Sequence, residues 1–361
     1  MKALVVGAGL SGATLARCLA EKGHEVQVID KECDIGGMCA DGTFGDIYVQ
    51  KYGTHVFHTD DEGVWAFINR FGRMIPYEHK VVASVEGHLV PVPFNFDSIE
   101  ACFPRILAER IEKALLRKYP VGKDIPITTL MASDDEDLQM LGHYIYDHIY
   151  KGYTEKQWAT RIENLEGMEM RVPVRASRDD RYFKDKYQAI PRTGYSEIIF
   201  RMLDCNGIET TLGESFDPAV SSDYDEVFCS APIDDYAGVV LPYRTLHFEN
   251  ERMPCEDFQN HAVVNYPNGQ GFTRIHEFKH LKPYSFYLTK ETIVSEEFPG
   301  GLNDIKSYPI PTQEASRKYE RAVRKLRERY PNIHPFGRLG GYKYINMDKA
   351  IRLAINLANE F

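Results

Sequence analysis

Long apolar runs are missing from this sequence of 361 residues, and no stretch approaches the ~20 residues that a membrane-spanning helix needs. Positive charge is also scarce, because 43 lysines and arginines face 53 aspartates and glutamates, which gives a net charge of -10. This balance argues against a general nucleic-acid or anionic-membrane surface. We therefore expect neither nucleic acid nor a membrane as a partner, and any phosphate-bearing ligand must be held by a local basic cluster.

The seven cysteines include no CxxC pair and no spacing typical of metal ligands. An odd number of cysteines without a signal peptide predicts a reducing, cytoplasmic location. His55 and His58 lie three positions apart, but no further ligand completes a plausible metal site, so contact with a cofactor or substrate is favoured. No Ser/His/Asp or Cys/His arrangement for nucleophilic catalysis is evident either.

The first thirty residues contain the pattern around which the rest of the chain is organised. The apolar run Ala3 to Val6 leads into Gly7-Ala8-Gly9-Leu10-Ser11-Gly12 and a helical pattern, and a second apolar run ends in Asp30. Gly7 permits the tight turn, Gly9 lets the backbone approach a pyrophosphate, and Gly12 lets the helix pack closely on the sheet. Asp30 can accept hydrogen bonds from a ribose diol. The pattern predicts a βαβ unit that binds a dinucleotide.

A second glycine pair, Gly36-Gly37, follows soon after Asp30. This position is typical of the glutathione-reductase-like flavoproteins, in which the chain folds back over the cofactor. We therefore expect permanently bound FAD in preference to exchangeable NAD. A final helix from Asp348 to Phe361 would point its N-terminus at the same cofactor.

The remaining periodicity predicts an α/β fold in which a Rossmann-like FAD-binding domain accompanies a helical insertion domain and an antiparallel β-sheet domain. Helical spacing extends from Phe96 to about Gln157, where Asp97 and Ser98 are candidate N-caps, and alternating segments fill Arg244 to Thr292. Strands near 207–211 and 226–230 would return to the first sheet. The predicted boundaries are 1–75, 188–240 and 311–361 for the FAD-binding domain, 96–157 for the helical domain, and 76–95, 158–187 and 241–310 for the sheet domain.

Two segments are candidate ligand-binding surfaces. The segment 144–158 is rich in Tyr and Trp, which offer a flat face for a base and a polar edge for a phosphate. Between Arg171 and Lys186, six basic residues stand against three acids. Guanidinium groups suit phosphate oxygens, but a charge run is also typical of a solvated face, and the pattern leaves both interpretations open.

Several segments together resemble the bacterial UDP-galactopyranose mutase family. They include KYGTHVFHT, KGYTEKQW, RVPVR, FTRIHEFKH and the closing FGRLGGYKY, and the resemblance runs almost from end to end. It implies a mutase, an isomerase of the intramolecular transferase type, that interconverts pyranose and furanose forms of a UDP-sugar by attack of reduced FAD N5 on the anomeric carbon. There is no net redox change. It further implies a role in cell-surface polysaccharide biosynthesis, an external reductant such as NAD(P)H, and a homodimer.

The resemblance also assigns site residues. It implies that Arg171, Arg274 and His58 are catalytic, with a mobile lid around Arg171. It implies that substrate is bound by Tyr150, Tyr153, Trp158, Tyr182, Asn265, Tyr308 and Tyr344. It implies that the cofactor is bound by Gly7, Gly9, Leu10, Ser11, Gly12, Asp30, Lys31, Gly37, Met38, His55, Ile208, Arg338 and Met347.

The sequence departs from the family pattern at Met38, Thr54, Ile345 and Asn346. These departures leave the sugar open, so UDP-N-acetylgalactosamine or a dTDP- or GDP-linked 6-deoxy sugar is an alternative to galactose. A more distant alternative is an amine-oxidase-like FAD oxidoreductase, and another is a non-catalytic flavin-binding partner of a glycosyltransferase. The paired arginines argue against both of these last alternatives. An amine substrate does not require them, and loss of either arginine would have indicated a protein without catalysis.

Overall fold

The computed structural model of this chain describes residues 1–159, 161–162, 173–281, 290–301, 304–310 and 312–361. Within these ranges the chain forms two compact units. The first unit contains residues 1–77, 185–246 and 300–361, and the second contains residues 78–184 and 247–299. None of the helices in these ranges has the length and apolar character required to cross a bilayer. The division into three domains stays a prediction.

The described strands are numbered in chain order. They are β1 (Lys2–Val6), β2 (Glu25–Asp30), β3 (Asp41–Phe44), β4 (Ile47–Gln50), β5 (Phe57–Thr59), β6 (Met74–Pro76), β7 (Val81–Val85), β8 (His88–Val92), β9 (Asp124–Ile125), β10 (Val174–Arg175), β11 (Tyr187–Pro191), β12 (Ile208–Leu212), β13 (Glu226–Cys229), β14 (Tyr243–Met253), β15 (Val263–Asn265), β16 (Arg274–Glu277), β17 (Thr292–Pro299), β18 (Ile305–Pro309) and β19 (Ile333–Pro335).

The described α-helices are numbered in the same way. They are α1 (Leu10–Glu21), α2 (Glu62–Asn69), α3 (Phe96–Cys102), α4 (Arg105–Lys118), α5 (Ile127–Met131), α6 (Glu136–Ile145), α7 (Lys151–Trp158), α8 (Tyr195–Leu203), α9 (Gln313–Arg329) and α10 (Met347–Ala358).

The first unit is built on a parallel sheet with the strand order β12-β2-β1-β13-β19. Alternate residues of β1 enter two cores, because successive side chains of a strand point to opposite faces. Ala3 and Val5 join α1, α8 and α10 on one face, whereas Leu4 and Val6 pack with α9 on the other. The predicted return of the strands near 207–211 and 226–230 to the first sheet is confirmed.

The same unit contains a small antiparallel sheet, β5-β11-β6, and the hairpin β3-β4. Asp41, the first residue of β3, accepts hydrogen bonds from the backbone N–H groups of Tyr195 and Ser196 at the start of α8. A carboxylate at a helix N-terminus satisfies N–H donors that have no partner inside the helix. Asp41 therefore fixes α8 against the hairpin.

The second unit combines the strand order β17-β16-β15-β7-β8 with the helices α3 to α7. Neighbouring strands here are antiparallel, as predicted, except that β15 pairs with β7 in parallel. The N-cap of α3 is Asn95, in a capping box with Ser98, so the prediction of Asp97 or Ser98 as the cap was wrong by two or three residues. Ser98 contributes as the reciprocal partner in the first turn.

Candidate functional site

The glycine turn after β1 forms a cradle that side chains would fill. Gly7 has a φ of +111°, in the region that favours glycine, and a Cβ on Gly12 would lie 1.8 Å from the carbonyl oxygen of Gly7. The N-cap of α1 is Gly9, and within the described residues no side chain caps this helix. The first N–H groups of α1 are therefore available to an anionic ligand, as a bound pyrophosphate requires.

Asp30 lies at the carboxyl end of β2, beside this turn. One carboxylate oxygen accepts a hydrogen bond of 2.7 Å from the N–H of Ala8, and the other accepts one of 3.0 Å from the N–H of Glu32. These two bonds fix the carboxylate in place while each oxygen retains a second acceptor position. Asp30 is thus oriented to accept from a ribose diol.

A cavity of about 780 Å³ opens at these strand ends. The carboxyl edge of a parallel sheet is where open α/β folds bind their ligands, and the volume lies within the range of cofactor sites. The predicted cofactor residues that line it are Gly7, Gly9, Leu10, Ser11, Asp30, Lys31, Gly37, Met38, His55, Arg338 and Met347. The residues of the first unit thus fit a dinucleotide.

Two predicted cofactor residues do not line this cavity. Gly12 does not face the cavity; it permits the close contact between α1 and the turn. Ile208 begins β12 and is aligned with Val26 near the start of β2, whereas the cavity lies beside Asp30 at the end of that strand. The assignment of Ile208 as a cofactor contact is therefore not supported.

Other lining residues were not among the predicted cofactor contacts, although Gly36 belongs to the glycine pair that indicated FAD. They are Val6, Glu32, Gly36, Cys39, Tyr52, Glu214, Ser215, Phe216, Ser230, Ala231, Pro232, Asp235, Tyr236, Asp304, Ile305, Lys306, Leu339, Ile345, Asn346 and Ala350. Ser230 to Pro232 could have been found, because they follow β13 and parallel strands place their ends at one edge. Residues 304–306 had no such signal.

The two histidines have different surroundings. His55 lines the cavity, and its Nδ1 lies 2.9 Å from the carbonyl oxygen of Gly53. Since a carbonyl can only accept, Nδ1 carries a proton in this contact. His58 does not line the cavity; its Nδ1 lies 3.0 Å from Asp185 Oδ2. The structure supports a cofactor contact for His55, and the catalytic role of His58 stays a prediction.

Arg338, Tyr344 and Tyr308 lie together in the first unit. The guanidinium of Arg338 donates twice to the carbonyl oxygen of Ile345 and lies 5.5 Å from the ring centroid of Tyr344. Tyr344 contacts Tyr308 edge to face, with 5.4 Å between ring centroids. Two predicted substrate residues are thus brought beside a predicted cofactor residue, in the first unit.

In the second unit, Arg274 is held by two side chains, those of Tyr153 and Glu297. Its guanidinium donates to the hydroxyl of Tyr153 and lies 5.7 Å from that ring centroid, and its Nε lies 3.2 Å from Glu297 Oε1. Asn265 faces it across β15 and β16, and the buried Oδ1 of Asn265 accepts no hydrogen bond from the described residues. The structure thus brings Arg274, Tyr153 and Asn265 together.

Glu297 is a buried carboxylate whose ionisation is maintained by its neighbours. Burial alone would raise the pKa of Glu297, but the charge of Arg274 and hydrogen bonds from His276 and Thr273 lower it to about 2. Burial lowers the pKa of His276, so this histidine is a neutral donor at neutral pH. Glu297 therefore stays charged and fixes the orientation of Arg274.

The helix that provides Tyr153 is anchored to the turn between β15 and β16. Lys156 donates to the carbonyl oxygens of Tyr266 and Phe272, at 2.8 and 3.0 Å. A Cβ on Gly152 would lie 2.7 Å from the carbonyl oxygen of Pro267, so only glycine permits this approach. A π-helical turn at Tyr146–Tyr150 precedes α7, and such turns are common at functional sites.

The other predicted substrate aromatics are less accessible. Trp158 is 0% and Tyr150 4% exposed, so both belong to the core of the second unit. In this conformation neither can stack on a base, and the structure does not support them as substrate contacts. Tyr182 is half-buried and packs edge to face against His79 and Phe183.

The basic cluster between Arg171 and Lys186 is largely neutralised by carboxylates. Arg175 lies 2.8 Å from Asp124, and the other described basic residues have carboxylate partners in their own units. These partners are Asp97 and Glu100 for Arg178, Asp179 for Arg181, Asp124 for Lys184, and Glu62 for Lys186. The cluster is therefore structural in its described part. Arg171, around which the lid is predicted, lies outside the described residues.

A Rossmann-like turn, an uncapped helix N-terminus and a cavity at the strand ends define a protein of the Rossmann-like class whose site fits a dinucleotide. Residues 5–71 match the model of the NAD(P)-binding Rossmann-like domain. Residues 148–344 match the model of the UDP-galactopyranose mutase family.

Whole-chain similarities agree with the second match. Over 99% of its length the chain is 35% identical to a probable UDP-galactopyranose mutase of Klebsiella pneumoniae, of which it covers 94%. Over 99% of its length it is 33% identical to a dTDP-fucopyranose mutase of Escherichia coli, of which it covers 97%. A crystal structure of a reduced UDP-galactopyranose mutase has the same fold, with a TM-score of 0.76 at 17% identity, covering 99% of this chain and 93% of that one. The chain belongs to the UDP-galactopyranose mutase family, whose members are isomerases.

Proposed function

We propose that the first unit binds FAD and that the protein acts with the flavin reduced. The glycine turn, the uncapped α1 and the fixed carboxylate of Asp30 support this cofactor, as does family membership. Bound reduced flavin supplies the nucleophile for the anomeric carbon of a sugar. NAD(P)H is the proposed external reductant.

The substrate that we propose is UDP-galactopyranose, interconverted with UDP-galactofuranose without net redox change. The single observation that supports it best is Arg274, a guanidinium held by the buried Glu297 and by Tyr153. Departure of a nucleoside diphosphate from the anomeric carbon builds negative charge on its phosphate oxygens. A cation whose orientation is fixed beforehand stabilises that charge without reorganisation. Arg171 has the same proposed role.

A dTDP-linked 6-deoxy sugar is the second candidate. The Escherichia coli relative that is named a dTDP-fucopyranose mutase is almost as similar to this chain as the Klebsiella pneumoniae relative. UDP- and dTDP-linked sugars, in pyranose and furanose forms, should be incubated with the reduced enzyme and separated by chromatography. If only the dTDP-sugar is converted, the proposed substrate is a dTDP-linked sugar and not UDP-galactose.

The proposed roles of the two arginines are tested by substitution. Arg274→Ala and Arg171→Ala should each lower kcat about 100-fold, the typical effect of removing one group that stabilises transition-state charge, while FAD remains bound. Arg252→Ala is the matched control in the second unit, because Arg252 forms an exposed ion pair with Glu291. Near-full activity of either variant would contradict the role assigned to that arginine.

A further inference from the structure

Four charged side chains from three separate segments of the first unit form a continuous chain of ion pairs. Lys31 Nζ lies 3.0 Å from Asp235 Oδ2, and Lys306 Nζ lies 2.7 Å from Asp235 Oδ1 and 2.8 Å from Asp234 Oδ2. The signs alternate along the order Lys31, Asp235, Lys306, Asp234. We call this set the charge strap.

The charge strap joins loops on both sides of the phosphate-binding turn. Lys31 directly follows β2, and Asp235 lies in the segment after β13. These two strands flank β1 in the sheet, and β1 leads into the Gly7 turn. The pair Lys31–Asp235 therefore links the neighbours of β1 at the edge where the cavity opens.

Lys306 extends the strap to a third segment. It belongs to β18, and Lys31, Asp235 and Lys306 all line the cavity together with Asp304 and Ile305. Residues 304–306 thus form a wall that is far in sequence from the Rossmann-like turn. β18 pairs with β14, and the ion pairs of Lys306 join this wall to the segment after β13.

Partial burial strengthens the pairs of Lys306 relative to most surface ion pairs, whereas Lys31 is 56% exposed. The side chains of Lys306 and Asp235 are 31% and 29% exposed, and that of Asp234 is 9% exposed. Burial alone would raise the pKa of Asp235, but Lys306 and Lys31 outweigh it and lower the pKa. Asp235 and Lys306 are thus charged at neutral pH, and their partial burial reduces the screening of these pairs by salt without removing it.

We propose that the charge strap closes over the bound cofactor and slows its release. This inference rests on the proposed binding of FAD in the same cavity. Dissociation of the cofactor then requires the wall at residues 304–306 to separate from the strand ends, which breaks the pairs of Lys306. The strap is a retention device and takes no part in the sugar chemistry.

The test uses the FAD-loaded protein and measures the rate of flavin release from the recovery of flavin fluorescence after dilution. Asp235→Asn removes the negative centre of the strap at nearly unchanged volume, and Lys306→Met removes its link to the wall. Each variant should release FAD about fivefold faster than the parent protein, as expected for the loss of partly buried ion pairs. Arg201→Met is the control, since Arg201 pairs with Glu197 on the exposed face of α8, away from the cavity.

Salt provides a second measurement that does not depend on the folding of any variant. Rising ionic strength should speed FAD release from the parent protein, and this dependence should be weaker in Lys306→Met. If both variants release FAD at the parental rate, or bind FAD faster without releasing it faster, the proposal that the charge strap slows release is contradicted. Failure of the parent protein to bind FAD at all would instead contradict the proposed function.

Discussion

At the scale of single residues, Arg274 and Glu297 depend on each other. Arg274→Met would leave the carboxylate of Glu297 buried without its cation, which typically costs about 3 kcal/mol of unfolding free energy. Burial would then raise the pKa of Glu297, so the loss should shrink as the pH falls and the carboxyl becomes protonated. Urea unfolding of the variant and the parent protein at neutral and mildly acidic pH measures both effects.

The double variant Arg274→Met/Glu297→Gln is the control for this prediction. Because both charges are gone, its unfolding free energy should lie above that of Arg274→Met alone. Additive losses of the two single variants would show that the pair is not coupled.

His280 provides a pH-dependent contribution in the second unit. Its Nε2 lies 3.2 Å from the buried Glu277, and the hydrogen bond to Glu277 raises the pKa of His280 above its ordinary value of 6.5. A raised pKa in the folded state means that the stabilisation is fully present below that ordinary value and is lost as the pH rises through the folded-state pKa. His280→Gln should therefore lower the unfolding free energy by about 1 kcal/mol near pH 6 and by much less near pH 9.

This dependence is measured by urea unfolding at the two pH values, with His247→Gln as the control. His247 is half exposed and lies 3.5 Å from the exposed Glu249, so its replacement should have little effect at either pH. A loss for His280→Gln that is equal at both pH values would contradict a protonated His280.

At the scale of secondary structure elements, the contact between α1 and the glycine turn is the critical one. Gly12→Ala would place a methyl group 1.8 Å from the carbonyl oxygen of Gly7, which forces the helix away from β1. We expect the purified variant to lack FAD, as read from its visible absorbance. Gly42→Ala is the matched control, because a Cβ there meets no atom within 4 Å. A yellow Gly12→Ala variant with the FAD content of the parent protein would contradict the claim that FAD binding requires glycine at this contact.

The elements of the first unit could be predicted because each has a local signal. The apolar run of β1, the glycine turn and the acid that ends β2 lie within thirty consecutive residues, and their order alone predicts where the cofactor site forms. Lys306 and Asp41 could not be predicted, because each acts on a segment more than seventy residues away and nothing in its neighbourhood indicates that partner. Tertiary contacts at such separations depend on the assembled sheet.

The second unit shows how composition can mislead. The basic residues near Arg175 and the aromatic residues near Trp158 both suggested ligand contacts. In the structure Arg175 is paired with Asp124 inside the unit, and Trp158 is 0% exposed. Residue type alone could not separate these structural roles from that of Arg274, because pairing and burial follow from packing.

At the scale of the whole molecule, the protein is acidic, whereas the proposed cofactor and the proposed substrate are both anions. The net charge of -10 opposes both ligands at long range. Helix N-termini and oriented guanidinium groups offset this repulsion locally, at α1 and at Arg274. We therefore expect substrate affinity to depend on those local groups more than on the overall charge.

The central claim is that the arginines of this chain stabilise a nucleoside diphosphate as it leaves the anomeric carbon of a sugar, while FAD held by the first unit would, when reduced, supply the nucleophile for that carbon. The most direct measurement compares the conversion of UDP-galactofuranose to UDP-galactopyranose by the same preparation in its oxidised and dithionite-reduced states, with products separated by chromatography. Conversion by the reduced protein and none by the oxidised protein is the predicted result. Equal rates in the two flavin states would contradict the claim.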